Sequence, residues 1–210
     1  MEAGAARKPL RAAARRAPRA AYDLVVIGAS LGGVAALRQL LAELPADFPA
    51  ALAIVQHRRP DTESPLPNLL GAVSALPVRE PRDRERIEAG VVYLGPAGYH
   101  LLVEPGWLAL SVEGPVSWAR PSIDVLFESA ADAYRRRLVA VLLTGSSEDG
   151  AAGMEAVARR GGLTIVEDPG SAHSPVSPAA AIARTTVRHV LPLAGIAGLL
   201  RGMVQAATGE

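Results

Sequence analysis

From Asp23 onward, short uninterrupted apolar runs alternate with longer stretches whose apolar residues recur at helical spacing. The runs predict strands at 23–28, 51–56, 91–94, 138–143 and 163–167, and the spaced stretches predict helices at 32–43, 122–136, 150–160, 177–185 and 193–205. Strands alternating with amphipathic helices predict an α/β fold, a doubly wound and mainly parallel sheet with helices on both faces. Between Val91 and Val112 the texture changes. Val91-Val92-Tyr93-Leu94, His100-Leu101-Leu102-Val103-Glu104 and Trp107-Leu108-Ala109-Leu110-Ser111-Val112 are short and separated by Gly-Pro-Ala-Gly and Pro-Gly turns. They read as an antiparallel β-ribbon at one edge of the parallel sheet.

Helix ends carry their own signals. Ser122 follows Pro121 where an N-cap belongs, and Asp124 lies in the first turn, where a negative charge meets the positive helix end. Both are read as structural. Gly161-Gly162 closes the helix that carries Met154 and Val157. The loop from Glu167 to Pro175 is polar and long enough to overhang a site at the carboxyl end of its strand.

Composition narrows the class. In 210 residues, 50% hydrophobic and 20% charged, there is room for one full core. No apolar run approaches a membrane span and no signal-peptide pattern opens the chain, so a cytoplasmic protein without membrane insertion is expected. Cysteine is absent, which excludes disulfides and thiol catalysis, and four scattered histidines make no zinc motif. The net charge of +1 is unevenly spread. Residues 1–20 hold six cations (Arg7, Lys8, Arg11, Arg15, Arg16, Arg19) against Glu2, so the rest carries 16 basic and 20 acidic side chains, −4. A mildly acidic body argues against a nucleic-acid partner. The domain plan expected is a disordered Arg/Ala-rich tail over 1–20 and one folded domain over 21–210.

Candidate chemistry gathers at strand ends. Val25-Val26-Ile27-Gly28-Ala29-Ser30-Leu31-Gly32-Gly33 runs from strand through a glycine-rich turn into a helix and fits G-x-S-x-G, which presents a serine hydroxyl at a sheet edge. The next strand ends in His57, and Val139 to Leu143 delivers Thr144-Gly145-Ser146-Ser147-Glu148-Asp149-Gly150. A serine, a base and a carboxylate thus fall where an open parallel sheet collects functional groups. The residues alone leave Glu148 and Asp168 as rival carboxylates and His100 and His173 as rival bases. The turn also approaches G-x-G-x-x-G, but Ser30 replaces the second glycine and His57 stands where a ribose-binding acid belongs, which disfavours a dinucleotide site. The order serine, histidine, acid likewise disfavours an α/β-hydrolase.

Five motifs carry a family resemblance. They are Gly28-Ala29-Ser30-x-Gly32-Gly33, Gln56-His57, Pro96-Ala97-Gly98-Tyr99-His100-Leu101, Arg120-Pro121-Ser122-Ile123-Asp124-Val125-Leu126-Phe127 and Leu143-Thr144-Gly145-x-x-x-Asp149-Gly150-Ala151-x-Gly153-Met154. In order and spacing the chain resembles the catalytic domain of the chemotaxis receptor methylesterases, the CheB family. The resemblance implies a protein-glutamate methylesterase without cofactor or metal, whose triad Ser30, His57 and Asp149 hydrolyses glutamyl methyl esters on chemoreceptor helices and deamidates certain glutamines. It implies oxyanion donors on the backbone at Leu31 and Ser146. The sequence departs from the pattern at Leu31, where threonine is common, at Ser146, where methionine is common, and at Ser177-Pro178 for Met-Pro. A non-catalytic interaction module of the same fold is the alternative these departures suggest. The segment before Asp23 is too short for the family's receiver domain, so any phospho-control is expected from a separate receiver-domain protein.

Overall fold

The computed structural model describes residues 22–59 and 65–208, so the tail expected over 1–20 lies outside the described residues. The strands are β1 (Leu24–Ala29), β2 (Ala51–Gln56), β3 (Val78–Arg79), β4 (Glu85–Arg86), β5 (Val92–Leu94), β6 (His100–Glu104), β7 (Trp107–Ser111), β8 (Leu138–Leu142), β9 (Leu163–Glu167) and β10 (His189–Leu191). The helices are α1 (Gly33–Ala42), α2 (Leu66–Gly71), α3 (Ile123–Tyr134), α4 (Ala151–Arg159), α5 (Val176–Arg184) and α6 (Leu193–Thr208). Seven strands form one sheet in the order β10-β9-β8-β1-β2-β5-β3, with every pair parallel.

Successive side chains of a strand point to opposite faces, so β1 feeds two cores. Val25 and Ile27 pack with α1, α2 and α6 on one face. Leu24 and Val26 pack with α3, α4 and α5 on the other. Helices on both faces explain why these strands read as continuous apolar runs. No helix among the described residues is long and apolar enough to cross a membrane.

The ribbon differs in detail from its expectation. Val92–Leu94 joins the large sheet beside β2, while β7 pairs antiparallel with both β4 and β6 in a separate three-stranded sheet. That sheet lies on α3, where Ser129 Oγ accepts the Val103 N–H at 3.1 Å. The strands of two or three residues at 78–79, 85–86 and 189–191, and the six-residue α2, were not anticipated, because segments that short carry no readable period.

β1 is flanked by β2 and β8, and the chain leaves β1 and β8 toward opposite faces, through α1 and α4. That makes the carboxyl edge between them a switch point, where this class of sheet opens a crevice. The crevice floor is set by two helix N-termini that cap each other. Asp149, just before α4, accepts the Ile123 N–H at 2.7 Å and the Asp124 N–H at 3.0 Å of α3. Asp124, in the first turn of α3, accepts the Gly150 N–H at 2.9 Å and the Gly153 N–H at 2.7 Å of α4. Each helix therefore satisfies the orphan amides of the other. The sequence alone predicts Ser122 and Asp124 acting within their own helix. Ser122 does cap α3 by accepting the Val125 N–H at 3.5 Å, but the stronger caps cross between helices, a pairing no local pattern reveals.

This crossing leaves no space at Gly153. An added Cβ would lie 2.5 Å from Phe127 Cβ and 3.2 Å from the Asp124 backbone. Alanine would gain about 1 kcal/mol of helix propensity but pay about 1–3 kcal/mol of overpacking. Gly153→Ala is therefore expected to lower stability by about 1 kcal/mol in denaturant unfolding.

Burial, with the Asp149 charge beside it, pushes the Asp124 carboxyl up to about 6 against the pull of the Gly153 and Gly150 amides. An acid raised on folding holds its proton more tightly in the native state. Its contribution to stability is complete below the unfolded value, about 3.9, and is lost as pH rises through about 6. Asp124→Asn keeps an oxygen for both amides and removes the titration. Unfolding curves should show the variant gaining on wild type between pH 4 and 7; an offset that does not change with pH would refute this.

Candidate active site

Ser30 ends β1 in a tight turn closed by the Gly33 N–H on the Ser30 carbonyl at 2.9 Å. Gly32 takes φ +81°, and a Cβ there would meet the His173 side chain at 2.7 Å, so the position needs glycine on both counts. The Ser30 N–H donates to the Thr144 carbonyl at 3.0 Å, which joins the ends of β1 and β8. Gln56, buried at the end of β2, donates from Nε2 to the Ser30 carbonyl at 2.9 Å and to the His57 carbonyl at 3.0 Å. Nucleophile turn and histidine are thus tied to one amide.

The structure brings Ser30, His57 and Asp149 together. Ser30 Oγ lies 3.1 Å from His57 Nδ1, and His57 Nε2 lies 2.6 Å from Asp149 Oδ2. With Nε2 donating to the carboxylate, Nδ1 is left to accept the hydroxyl proton. The ring is turned end for end relative to the common serine-protease arrangement, which the two tautomers of imidazole permit. Asp149 is 1% exposed. Burial pushes its carboxyl up, but the bonds from His57, the Ile123 and Asp124 amides and the Ser122 hydroxyl outweigh burial and hold it below the usual carboxylate range. It therefore stays ionised where it meets the imidazole.

The rivals are placed elsewhere. Glu148 points to solvent, and Asp168 turns back on its own loop to accept the Gly170 N–H at 2.9 Å. His173 is exposed and packs on Gly32. His100 is buried, accepts the Ser122 N–H on Nδ1 at 3.2 Å and donates from Nε2 to the Gly114 carbonyl at 3.0 Å. Sequence reasoning missed that Ser122 belongs to the site: its Oγ donates to Asp149 Oδ1 at 2.8 Å. The only signal was the presence of Ser122 and Asp149 in motifs of one family pattern.

Leu31 and Ser146 line a cleft of about 690 Å³ together with Ser30 and His57. Among the described residues, neither the Leu31 N–H nor the Ser146 N–H has a hydrogen-bond acceptor. Both arms of this cleft are braced by Thr144. Its Oγ1 donates to the Leu31 carbonyl at 2.9 Å and accepts the Ser174 N–H at 2.8 Å, while its own N–H reaches Glu167 Oε2 at 2.7 Å. Burial raises the Glu167 carboxyl despite that last bond. Ser177, where the sequence departs from Met-Pro, is 1% exposed and braces the same loop, its Oγ on the Ser147 carbonyl at 2.5 Å and its N–H on the Gly145 carbonyl at 3.0 Å.

The family model described as CheB methylesterase matches residues 25–200. A relative from Leptospira interrogans, provisionally named as a protein-glutamate methylesterase/protein-glutamine glutaminase, is 38% identical over 179 residues, 85% of this chain and 93% of its own. The protein-glutamate methylesterase/protein-glutamine glutaminase of Symbiobacterium thermophilum is 42% identical over 83% of this chain, which spans 48% of that longer protein. The crystal structure of the Thermotoga maritima CheB methylesterase catalytic domain superposes with a TM-score of 0.82 at 32% identity, covering 87% of this chain and 98% of the other. With the parallel sheet, the switch-point crevice and the serine–histidine–aspartate line all on one matching segment, the chain belongs to the CheB methylesterase family.

Proposed function

We propose that this chain is a protein-glutamate methylesterase acting on methylated chemoreceptor helices in the cytoplasm, with Ser30 as nucleophile, His57 as base and then acid, and Asp149 holding the imidazole. The observation that carries this reading is the unbroken hydrogen-bonded line from Ser30 Oγ through His57 to Asp149. Ser30 Oγ attacks the ester carbonyl as His57 takes its proton. The carbonyl oxygen becomes an oxyanion, for which the Leu31 and Ser146 amides are the proposed donors. These donors are main-chain groups, so the changed side chains at both positions leave them in place. Collapse expels methoxide, which leaves as methanol with the His57 proton. Water then enters, gives a proton to His57 and cleaves the acyl-serine, releasing the glutamate carboxylate and restoring the serine hydroxyl. No cofactor enters this cycle. The same attack on a side-chain amide expels ammonia, the second activity in the relatives' names. Control by a separate receiver-domain protein covering the crevice completes the proposal.

Ser30→Ala removes one oxygen from a partly exposed turn, and is expected to lower methanol release from a methylated receptor by several powers of ten with the unfolding transition unchanged. Release within tenfold of wild type would rule out Ser30 as the nucleophile, whereas wild-type protein that releases none would leave only a non-catalytic module of this fold. Asp149→Asn is expected to slow turnover strongly while leaving measurable activity, since it favours the wrong tautomer. Glu148→Gln and Asp168→Asn, which lie off the line, should be mild; if either is the more damaging, the carboxylate is misassigned.

A further inference from the structure

Next to the crevice stands a turn that folding alone does not explain. Val116 and Ala119 bond reciprocally, the Val116 N–H to the Ala119 carbonyl at 3.1 Å and the Ala119 N–H to the Val116 carbonyl at 2.9 Å. The two residues between them, Ser117 and Trp118, sit at φ +50° and +64°. Two-residue turns of this kind normally hold Asn-Gly, because side chains are disfavoured at positive φ. Here one of the strained positions carries a tryptophan that is fully exposed, 101%. It has no packing to offset the strain. The turn is nevertheless held firmly: Arg120 Nη1 donates to the Val112 and Glu113 carbonyls at 2.8 and 2.9 Å, and buried His100 holds the Gly114 carbonyl. Strain that persists in a braced segment marks a functional clamp.

Trp118 stands on a cleft of about 470 Å³ that shares His57 and Arg59 with the cleft around Ser30. Arg58, Arg59 and Arg120 line it, Arg58 paired with Glu80 at 2.5 Å, and among the described residues no carboxylate lines it. Arg120 bonds only to carbonyls, so among the described residues no carboxylate offsets its charge. The cleft around Ser30 also presents apolar side chains, with Leu31 53% and Val34 37% exposed.

We propose that Trp118 and the arginine-lined cleft form the docking surface for the substrate helix, an amphipathic helix with acidic residues flanking the scissile ester. Trp118 covers apolar side chains next to the ester, and Arg120 faces the helix's carboxylates. The occupant follows from continuity with the Ser30 crevice and from charge complementarity, and the inference rests on the esterase reading above. Exposed tryptophans of this kind are typical anchors of protein interfaces.

The test uses Trp118→Gly, which removes the ring and at the same time relieves the positive φ. Binding is measured on the full chain in a Ser30→Ala background, using a soluble chemoreceptor fragment carrying glutamyl methyl esters. Turnover is measured with Ser30 intact, on that fragment and on N-acetylglutamate γ-methyl ester. The expected result is a melting temperature no lower than wild type, affinity for the fragment about tenfold weaker, and a similar fall in the ratio of kcat/KM for the fragment to that for the small ester. Trp118→Phe should keep most of the affinity, and added salt should weaken binding. Unchanged affinity and ratio in Trp118→Gly would overturn the proposal. Wild-type protein that releases no methanol from either ester would instead overturn the esterase reading, and the binding comparison would still decide the docking surface.

Discussion

The reciprocal capping of α3 and α4 is the constraint on which the rest of the site depends. A carboxylate buried to 1% exposure is tolerated only if it is fully hydrogen-bonded, and Asp149 meets that need with the N-terminus of α3 and the Ser122 hydroxyl. Its position relative to α3 is therefore fixed before His57 is considered. Asp124 returns the restraint by holding the first turn of α4, so the peptide that carries Asp149 cannot drift. Burying two carboxyls in one seam has a cost: burial first, and then the neighbouring Asp149 charge, raise the Asp124 carboxyl, and four backbone amides across the seam act against it.

The catalytic edge is rigid for a second reason. Thr144 spends its N–H, carbonyl and hydroxyl on Glu167, Ser30 and the Leu31 and Ser174 backbone, which ties the ends of β1, β8 and β9 and the 168–175 loop into one unit. Gln56 adds the end of β2. A hydroxyl held in such a frame needs little reorganisation to act, and for the proposed acyl transfer preorganised donors aimed at a developing charge would be the largest contribution. Ser177 sits within this frame, through its buried hydroxyl on the Ser147 carbonyl.

The Ser30 crevice and the exposed tryptophan turn are built from different parts of the chain. The parallel sheet supplies Ser30, His57 and Asp149, whereas the loop following the antiparallel sheet supplies Trp118 and Arg120. His100 links them: one ring nitrogen holds the Gly114 carbonyl of the loop and the other the Ser122 amide beside Asp149. The Trp118 turn is thereby fixed relative to Ser122 and Asp149.

The sequence by itself determined the parallel strands, their helices and the serine turn, because these depend on local period and on glycines that only one backbone geometry explains. It also placed Ser30, His57 and the Thr144–Gly150 loop at strand ends, since strand direction alone dictates that. It left Asp149 unseparated from Glu148 and Asp168 until a family pattern was invoked, and it treated Ser122 and Asp124 as ordinary helix caps. Those assignments turn on contacts between residues 25 to 92 positions apart, such as His57 with Asp149 and Asp149 with the amide of Asp124. The separation of the ribbon from the large sheet was equally out of reach, because Val92–Leu94 and His100–Glu104 have the same local character and differ only in the neighbour each pairs with. Only the tertiary structure decided these points: hydrogen bonding and burial select among locally equivalent side chains, and that selection exists only after the chain has brought distant segments together.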